Sequence, residues 1–357
     1  MANTPKKILF FLPPTVGGAE RVTIIIAKML PKDEFEVKFV VVGKSLGNIV
    51  KFIPTDYPIR LLRIRRIWYG GTTRMWNIIR EENPHIVFSS LLYLNFRLII
   101  ASRFHRTKVI VRNNIDLSRT TRKINLLFVR FTYRWADKVI AQQDEMQKEI
   151  ISYTRIPHEK VITLHNPIDT EYIEDCLKAD NPYPPEAMSQ YKYIWTARFS
   201  SQKGQDLIVQ AFEMLHHEKP NAHLYLVGNY DEDDAFFKSI NSYINNKHLQ
   251  EYVHFVGFDS NPYRWIKYAD CFVMPSRFEG LPNSLIDAMY IGKPVVATKC
   301  IPVIERIVKN GYNGILVETE NINALAEGMK AAPSLKNFGM TYHPATSNDF
   351  VSLFNAI

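Results

Sequence analysis

The sequence predicts two α/β domains, each built around a doubly wound parallel sheet. A chain of 357 residues is too long for one ordinary core and suits two domains of about 170 residues each. Short apolar runs alternate with helical stretches along both halves, which is typical of parallel sheets. Prolines gather where strand character is lost, and this marks a boundary. We therefore expect a first domain over 1–170, a linker over 171–190 and a second domain over 191–344.

The first half contains five runs that are predicted to be strands. They are Lys7–Pro13, Phe35–Val42, Ile86–Ser89, Val109–Arg112 and Lys138–Ala141. Gly17 and Gly18 follow the first run and precede a helix with apolar residues at helical spacing. Because glycine lets a ligand approach the backbone, and a helix N-terminus favours anions, this loop is a candidate phosphate or sugar site. An ordinary tight turn is the alternative.

Charge is distributed unevenly along the chain. Residues 1–170 carry 28 Lys and Arg against 14 Asp and Glu, a net charge of +14, whereas the remainder carries a net charge of −6. Such asymmetry predicts an anionic surface, either a nucleic acid or a membrane, as partner of the first half. Nucleic acid is not expected, since the chain contains no recognisable nucleic-acid-binding motif.

Two basic stretches of the first half also contain aromatic and aliphatic residues. The stretch 59–69 includes Arg63, Arg65 and Arg66, and the stretch 119–134 has helical spacing with an apolar side and a cationic side. A basic amphipathic helix with aromatic residues can lie in a membrane interface. The alternative is that both stretches pack their apolar sides on the core and leave their arginines in water.

The second half opens with a predicted strand at Tyr193–Arg198, followed by a loop that contains Lys203 and by a predicted helix at Gln205–His217. Arg198 and Lys203 thus lie before a helix N-terminus that already favours an anion. They are candidate ligands of a diphosphate. A surface pair of cations is the alternative.

A second strand, loop and helix follow later in this half. Cys271–Met274 is a predicted strand, a helix begins near Pro282, and Val295–Ala297 is the next strand. Backbone N–H groups of Gly280 and Leu281 could hold a diphosphate at the helix N-terminus. Phosphate repels a carboxylate, so Glu279 and Asp287 are better suited to accept hydrogen bonds from sugar hydroxyls. The alternative makes them an ordinary loop acid and an exposed helix residue.

These motifs together resemble retaining glycosyltransferase family four, which has the GT-B fold. The matching stretches are GGAER at 17–21, NPID at 166–169, RFSSQKG at 198–204, SRFEGLPNSLID at 276–287 and AMYIGKPVVAT at 288–298. The resemblance implies two Rossmann-like domains facing each other across a cleft. It also implies a C-terminal helix, over 345–357, that crosses back to the first domain. The family usually has Glu where this chain has Asp287, and a His near the position of Asn113 and Asn114.

The resemblance implies a nucleotide-diphosphate sugar as donor, with a UDP-sugar expected rather than a GDP-sugar. Arg198 and Lys203 would stabilise charge on the leaving diphosphate, Glu279 would orient the sugar, and Asp287 would hold the ribose. No cofactor and no metal are expected: the acidic run at 231–234 lacks EF-hand spacing and is interpreted as a solvated loop. The donor-binding residues implied by the family are Gly17, Gly18, Asn229, Phe258, Gly280, Leu281, Pro282, Asn283, Ser284 and Asp287.

The acceptor expected from the basic first half is a lipid-linked saccharide in bacterial surface polysaccharide synthesis. Asn113, Asn114 and the arginines at 63, 65 and 66 are candidates for the acceptor or membrane side. The three scattered cysteines indicate a reducing cytoplasm, so we expect a peripheral protein on the inner face of the cell membrane. Two other classes stay open: an epimerase or hydrolase of nucleotide-sugars, and a non-catalytic basic binding protein.

Overall fold

The computed structural model describes residues 4–64, 70–119 and 123–357. The chain divides into two compact units. The first unit contains the residues up to Ile168 together with His343–Ile357, and the second contains Asp169–Tyr342. The stretch 171–190, which the sequence suggests is a linker, thus belongs to the second unit.

The first unit contains a sheet of seven parallel strands among the described residues. The order across the sheet is β3-β2-β1-β4-β5-β6-β7. The strands are β1 (Lys6–Leu12), β2 (Phe35–Gly43), β3 (Ile59–Arg63), β4 (Ile86–Ser89), β5 (Lys108–Arg112), β6 (Lys138–Ala141) and β7 (Val161–Thr163). Helices connect the strands and cover both faces, which explains why the central strands are apolar throughout. These helices are α1 (Gly18–Lys28), α2 (Gly71–Glu82), α3 (Leu92–Ser102), α4 (Lys123–Thr132) and α5 (Asp144–Thr154).

The second unit contains a sheet of six parallel strands in the order β10-β9-β8-β11-β12-β13. The strands are β8 (Tyr191–Thr196), β9 (Ala222–Val227), β10 (Val253–Gly257), β11 (Cys271–Met274), β12 (Val295–Thr298) and β13 (Gly314–Val317). The helices of this unit are α6 (Thr170–Cys176), α7 (Gln205–Glu218), α8 (Ala235–Asn246), α9 (Pro262–Tyr268), α10 (Asn283–Tyr290), α11 (Pro302–Ile307) and α12 (Ile322–Ala331). The two doubly wound sheets confirm the predicted fold class.

Each sheet has one point where its strand order reverses. In the first sheet this point lies between β1 and β4, and in the second it lies between β8 and β11. Loops at the carboxyl ends of two such strands diverge and leave a crevice in which open α/β sheets bind ligands. The loops that carry the predicted donor residues of the second unit follow β8 and β11. The glycine loop of the first unit follows β1.

A last helix, α13 (Ser347–Asn355), belongs to the first unit although it follows the second in the chain. Its Phe354 is fully buried and lies within about 6 Å of the rings of Phe10, Phe35 and Phe88. The Lys6 ammonium donates hydrogen bonds to the carbonyls of Phe354 and Asn355, both at 3.2 Å. The helix therefore completes one face of the first sheet.

The stretch 171–190 is folded rather than extended. It contains α6, and its Tyr183 is buried, with the hydroxyl donating a hydrogen bond to the Trp265 carbonyl at 2.9 Å. The amide of Asn261 donates to the Cys176 carbonyl at 2.8 Å. These contacts fix the proline-rich stretch to α9 of the second unit, so it does not act as a free linker.

Two other features differ from the sequence expectation. The basic stretch at 59–69 begins with an edge strand, β3, which was not predicted, and residues 65–69 lie outside the described residues. Strand β8 ends at Thr196, so Arg198 lies in the loop after the strand rather than in it. Within the described ranges, no helix is both long and apolar enough to cross a membrane.

Candidate active site

Two loops of the second unit, one after β8 and one after β11, are packed directly against each other. Gly204 has a φ of +69° between the first loop and α7, and a Cβ there would lie 2.2 Å from the carbonyl oxygen of Pro275. Only glycine permits this approach. The indole N–H of Trp195 donates to the Lys203 carbonyl at 3.1 Å. The crevice at the reversal point is therefore closed at its base by backbone contact.

Lys203 and Glu279 meet in this crevice. The Lys203 ammonium lies 2.6 Å and 2.9 Å from the two carboxylate oxygens of Glu279. Ser276 donates a hydrogen bond to the same carboxylate at 2.7 Å, and the Glu279 residue is only 6% exposed. The Ser276 carbonyl in turn accepts a hydrogen bond from the Thr298 hydroxyl at 2.5 Å. The structure thus joins two predicted site residues in one buried ion pair with fixed geometry.

Arg198 lies in the same loop but in different surroundings. It is exposed, and among the described residues no acceptor receives a hydrogen bond from its guanidinium. Its backbone is held instead, because the Gln205 amide donates to the Arg198 carbonyl at 3.0 Å. Gln205 is buried, so this contact fixes the loop. The loop therefore presents a cation whose donors are available to an incoming anion.

A further cation of this region was not singled out from the sequence. Arg277 donates to both carboxylate oxygens of Asp206, at 2.8 Å and 2.7 Å, and to the Ser201 carbonyl at 2.7 Å. It also pairs with Glu320. The hydrogen bonds to Asp206 are the largest cause of the raised pKa of Arg277. Arg277 joins the two loops to each other, and no sequence signal indicated this role.

The N-terminus of α10 follows the second loop. The helix starts at Asn283 with Pro282 as its N-cap, so Pro282 lies one position before the predicted one. Leu281 and Pro282 are buried, whereas Gly280, Asn283, Ser284 and Asp287 are half-buried. Asp287 lies about one turn after Asn283 on the same side of the helix. The predicted donor residues of this segment are therefore gathered at one helix end, beside Glu279.

Asn229 and Phe258 follow the two strands beyond β8. Both are exposed, and Phe258 exposes 68% of its surface. The Asn229 carbonyl accepts a hydrogen bond from the Phe199 N–H at 3.0 Å, which ties the ends of β8 and β9 together. Because all six strands are parallel, these residues lie at the same edge of the sheet as Arg198 and Glu279. An exposed ring at this edge could stack on a nucleobase.

In the first unit, the glycine loop has a carboxylate beside it. Glu20 is buried in the first turn of α1 and accepts a hydrogen bond from Thr15 at 3.1 Å. A Cβ on Gly17 would lie 2.7 Å from the other Glu20 carboxylate oxygen. Burial raises the pKa of Glu20. The side chain also accepts a hydrogen bond from its own backbone N–H, so this carboxylate lies beside the glycine loop and uses one N–H group of the first turn of α1.

Asn113 lies at the end of β5, and Asn114 follows it. Asn113 is 1% exposed, and its amide oxygen accepts a hydrogen bond from the Tyr133 hydroxyl at 2.6 Å. Tyr133 is held by Asn95 at 3.2 Å, and burial raises its pKa. The described contacts show no acceptor for the Asn113 Nδ2 group. Asn114 is half-buried. The Asn113 amide thus belongs to a buried network, in contrast to the exposed Arg63 of the same unit.

Of the three arginines predicted for the membrane side, Arg63 lies within the described residues. Arg63 is exposed at the end of β3, and its carbonyl accepts a hydrogen bond from Arg74. Arg65 and Arg66 lie outside the described residues.

Two family models match the chain. "Glycosyltransferase Family 4" matches residues 16–172, and "Glycosyl transferases group 1" matches residues 182–338. The two matches cover the glycine loop and both loops of the second-unit crevice. The chain belongs to glycosyltransferase family four. It has the two parallel sheets of the GT-B fold.

Relatives of this family four glycosyltransferase are distant. An uncharacterized glycosyltransferase of Methanocaldococcus jannaschii is 28% identical over 76% of the chain, which spans 65% of the relative's own length. The N-acetylgalactosamine-N,N'-diacetylbacillosaminyl-diphospho-undecaprenol 4-alpha-N-acetylgalactosaminyltransferase of Campylobacter jejuni is 23% identical over 88% of the chain and 86% of the relative. HepE of Anabaena, solved in complex with UDP and glucose, has a TM-score of 0.79, 21% identity and 98% coverage of both chains. The structural likeness shows the fold.

The arrangement in this glycosyltransferase can bind an anion and a polyol side by side. A lysine ammonium has three donors, and the two contacts to Glu279 leave one for a phosphate oxygen. Arg198 offers further donors at the same edge. Glu279 places a carboxylate, which is a hydrogen-bond acceptor, beside these donors. Within the described part of the chain, no three His, Cys, Asp or Glu side chains form a group that could hold a metal ion.

Proposed function

We propose that this glycosyltransferase moves a sugar, with retention of its anomeric configuration, from a UDP-sugar to a lipid-linked saccharide at a membrane surface. The observation that carries the proposal is the buried Lys203–Glu279 pair, at 2.6 Å, beside the exposed Arg198. It provides cations for a diphosphate and a carboxylate for sugar hydroxyls within one crevice. The reversal point of the second sheet is where such a fold binds its ligand.

Electrostatic stabilisation of the leaving group is the main contribution expected from these residues. As the bond from the sugar to the diphosphate breaks, negative charge grows on the phosphate oxygens, and Arg198 and Lys203 stabilise that charge. Glu279 fixes the Lys203 ammonium and the sugar at the same time. No described side chain serves as a nucleophile in this proposal. The leaving phosphate oxygen accepts the proton of the acceptor hydroxyl as the new glycosidic bond forms on the same face. Because the two cations stabilise the charge on the diphosphate, no metal is required in this proposal.

The nucleoside part of the donor is assigned to the edge around β9, β10 and α10. Phe258 would stack on the base, Asn229 would contact it, and Asp287 would accept hydrogen bonds from the ribose. The choice of UDP is supported by the likeness to HepE, which binds UDP. Asp287 is one methylene shorter than the usual Glu of the family, so we expect it to reach the ribose only with a closer approach of α10.

The acceptor assignment rests on charge and on a relative. The Campylobacter relative acts on a saccharide linked to diphospho-undecaprenol, as its name states. The first 170 residues of this chain carry a net charge of +14, which attracts an anionic membrane and a diphosphate-linked lipid. We propose a peripheral location on the inner face of a bacterial membrane and a role in surface polysaccharide synthesis.

The experiment measures UDP binding by thermal shift, and UDP release from a panel of UDP-sugars with a diphospho-undecaprenol-linked saccharide present as acceptor. Arg198→Ala and Lys203→Ala should each reduce the rate of UDP release about 100-fold or more, because each removes a donor to the leaving group. Lys238→Ala is the matched control, since Lys238 lies on the exposed surface of α8. Unchanged turnover in both site variants would contradict the diphosphate role. Free sugar or an epimer as the only product would instead favour a hydrolase or an epimerase.

A further inference from the structure

Helix α4 and the turn after it direct large apolar side chains outward. Between 45% and 51% of the surface of each of these side chains is exposed: Ile124, Leu127, Phe131 and Trp135. Their spacing of three or four residues places them along one side of the helix, and we refer to them as the α4 stripe. The polar Asn125 and Thr132 are buried on another side of the helix. A helix with polar residues buried and large apolar residues exposed departs from the pattern expected for a helix that packs only on a core.

The helix is fixed in this orientation by its inner side. The ring of Phe128 stacks on that of Phe96 in α3, with ring centroids 4.9 Å apart. Val129 is fully buried, and the Thr132 hydroxyl donates to the Phe128 carbonyl at 2.8 Å. The Thr132 hydroxyl is therefore satisfied within the helix. The core of the first unit does not bury the α4 stripe.

Cations accompany the stripe. Lys123, Arg130 and Arg134 are exposed on the same segment, and no acidic residue occurs between Leu117 and Ala136. At the end of the stripe, the Arg103 guanidinium lies 5.8 Å from the centroid of the Trp135 ring. Phe104, beside it in the chain, is 86% exposed. The apolar surface thus extends to the end of α3 and carries positive charge along its length.

We propose that the α4 stripe lies in the interface of an anionic lipid bilayer. Its apolar side chains would enter the boundary between headgroups and acyl chains, while Lys123, Arg130 and Arg134 contact lipid phosphates. This inference rests on the proposed membrane-linked acceptor and specifies which surface meets the membrane. It extends the charge argument, because a purely electrostatic contact would give no reason for exposed Leu and Phe side chains.

A second copy of the chain fits this surface less well. A two-fold dimer would place the surface against itself. The cations of one copy would then face those of the other with no acid between Leu117 and Ala136 to pair with them. Like charges opposed in a desolvated interface are costly. An anionic bilayer supplies the missing negative charge together with an apolar layer.

The test is cosedimentation of the full chain with vesicles made of equal parts phosphatidylcholine and phosphatidylglycerol. Leu127→Glu combined with Phe131→Glu should weaken binding at least about tenfold, because two charges would enter the apolar boundary. Met188→Glu is the matched control, since Met188 is an exposed apolar residue of the second unit. Brominated lipid should quench the fluorescence of the wild-type chain, and Trp135→Phe should reduce that quenching.

Binding of the double variant equal to that of the wild type would overturn the proposal. So would conversion of a dimer to a monomer, measured by light scattering, with vesicle binding unchanged. The thermal shift with UDP must stay as in the wild type, which shows that the double variant is folded. That readout also separates the two proposals: normal UDP binding with lost vesicle binding supports this inference, whereas failure of the Arg198 and Lys203 variants to change turnover would refute only the donor site.

Discussion

Arg198 and Lys203 are five residues apart, yet they differ in what each contributes to the free protein. Lys203 neutralises the buried Glu279 carboxylate, whereas Arg198 is exposed and has no acceptor among the described residues. Buried charge requires a partner, and a cation in water does not. Although both residues have the same predicted role, removal of Lys203 should therefore lower the folding stability more than removal of Arg198.

We expect Lys203→Ala to lower the free energy of unfolding by about 1–3 kcal/mol, because it leaves a buried carboxylate without its ion pair. Arg198→Ala should change the stability by less than about 0.5 kcal/mol. Denaturant unfolding followed by circular dichroism measures both. The pair Lys203→Ala with Glu279→Ala should cost less than the sum of the single variants. If Lys203→Ala and Arg198→Ala had equal free energies of unfolding, the ion-pair account would be contradicted.

His223 and His254 form a second residue-scale feature, away from the crevice. Their ring nitrogens, Nδ1 and Nε2, lie 3.0 Å apart on neighbouring strands, with Tyr252 beside them. Burial is the main reason that the pKa of His223 falls to about 4, and His254, His216 and Lys192 lower it further. Burial also lowers the pKa of His254. The hydrogen bond needs one bare ring nitrogen, so the pair is stable in its neutral form.

The lowered pKa predicts acid sensitivity of the second unit. An unfolded histidine has a pKa of about 6.5, so stability from the neutral pair is present above that pH. It decreases as the pH falls from about 6.5 towards 4, because protons bind the unfolded chain more tightly. Amide hydrogen exchange of β9 and β10 should show this loss, and His223→Asn should flatten it. His248→Asn, at an exposed residue, should leave the pH dependence as in the wild type.

At the scale of elements, α2 is joined to three strands through one acid. Glu82, at the end of α2, lies 2.7 Å from the Lys7 ammonium of β1 and 2.9 Å from the Arg60 guanidinium of β3, and it also pairs with Lys38 of β2. These hydrogen bonds outweigh burial and lower the pKa of Glu82 to about 2. One carboxylate thus connects β1 with β2 and β3, the two strands on one side of it in the sheet.

Glu82→Gln should lower the stability of the first unit by about 1–3 kcal/mol at neutral pH. The wild type keeps this contribution above the ordinary carboxyl pKa and loses it as the pH falls from about 4.5 to 2. The variant should therefore show a smaller loss over that range. Hydrogen exchange of β1 and β2 measures the difference. Glu81→Gln, which alters an exposed pair with Arg60, should have a much smaller effect, and an equal effect would contradict the assignment.

The positions of strands were easier to predict from the sequence than the directions in which helix residues face. Central strands such as β4 and β6 contain short uninterrupted apolar runs, so their positions follow largely from composition. Strand β3 was missed because it is an edge strand in which Arg60 and Arg63 interrupt the apolar pattern. In α4, apolar residues occur on almost every side. Which of them face α3 depends on packing between helices, which the sequence of α4 does not contain.

The candidate site shows the same limit. Motif spacing indicated the two loops of the second unit, but it did not indicate that Lys203 pairs with Glu279. Sequence did not indicate that Arg277 is tied to Asp206, because three strands and two helices, β9 to β11, lie between them along the chain. Nor did it indicate that Glu20 folds over Gly17, since a close approach of this kind is set by the local turn. The roles of these residues in donor binding are still predictions.

For the whole molecule, the helix that follows the second unit completes the first. Phe350 and Phe354 of α13 are buried against the face of the sheet that contains Phe10 and Phe88. The Ser347 hydroxyl donates a hydrogen bond to the Met29 carbonyl at 2.6 Å, so the start of α13 is also anchored at the end of α1. The stability of the first unit therefore depends on residues from both ends of the chain.

A chain that stops at Tyr342 should retain the second unit and lose stability in the first. Phe354→Ala alone should cost about 3–5 kcal/mol, because it removes a buried aromatic ring from a packed cluster. Asn355→Ala, at an exposed residue, is the matched control. Hydrogen exchange should show reduced protection of β1 and β4 with β8 and β11 unchanged. Full protection of β1 in the shortened chain would contradict this role of α13.

The order of synthesis gives this arrangement a consequence for the nascent chain. Translation delivers β1 to β7 first, then the whole of the second unit, and the segment that covers Phe10 and Phe88 last. Domains generally fold as they emerge from the ribosome. The first unit therefore leaves the exit tunnel first but completes its folding after the second unit. Until α13 is synthesised, its aromatic face is not covered by this helix. We expect a chaperone to bind the nascent chain at that face.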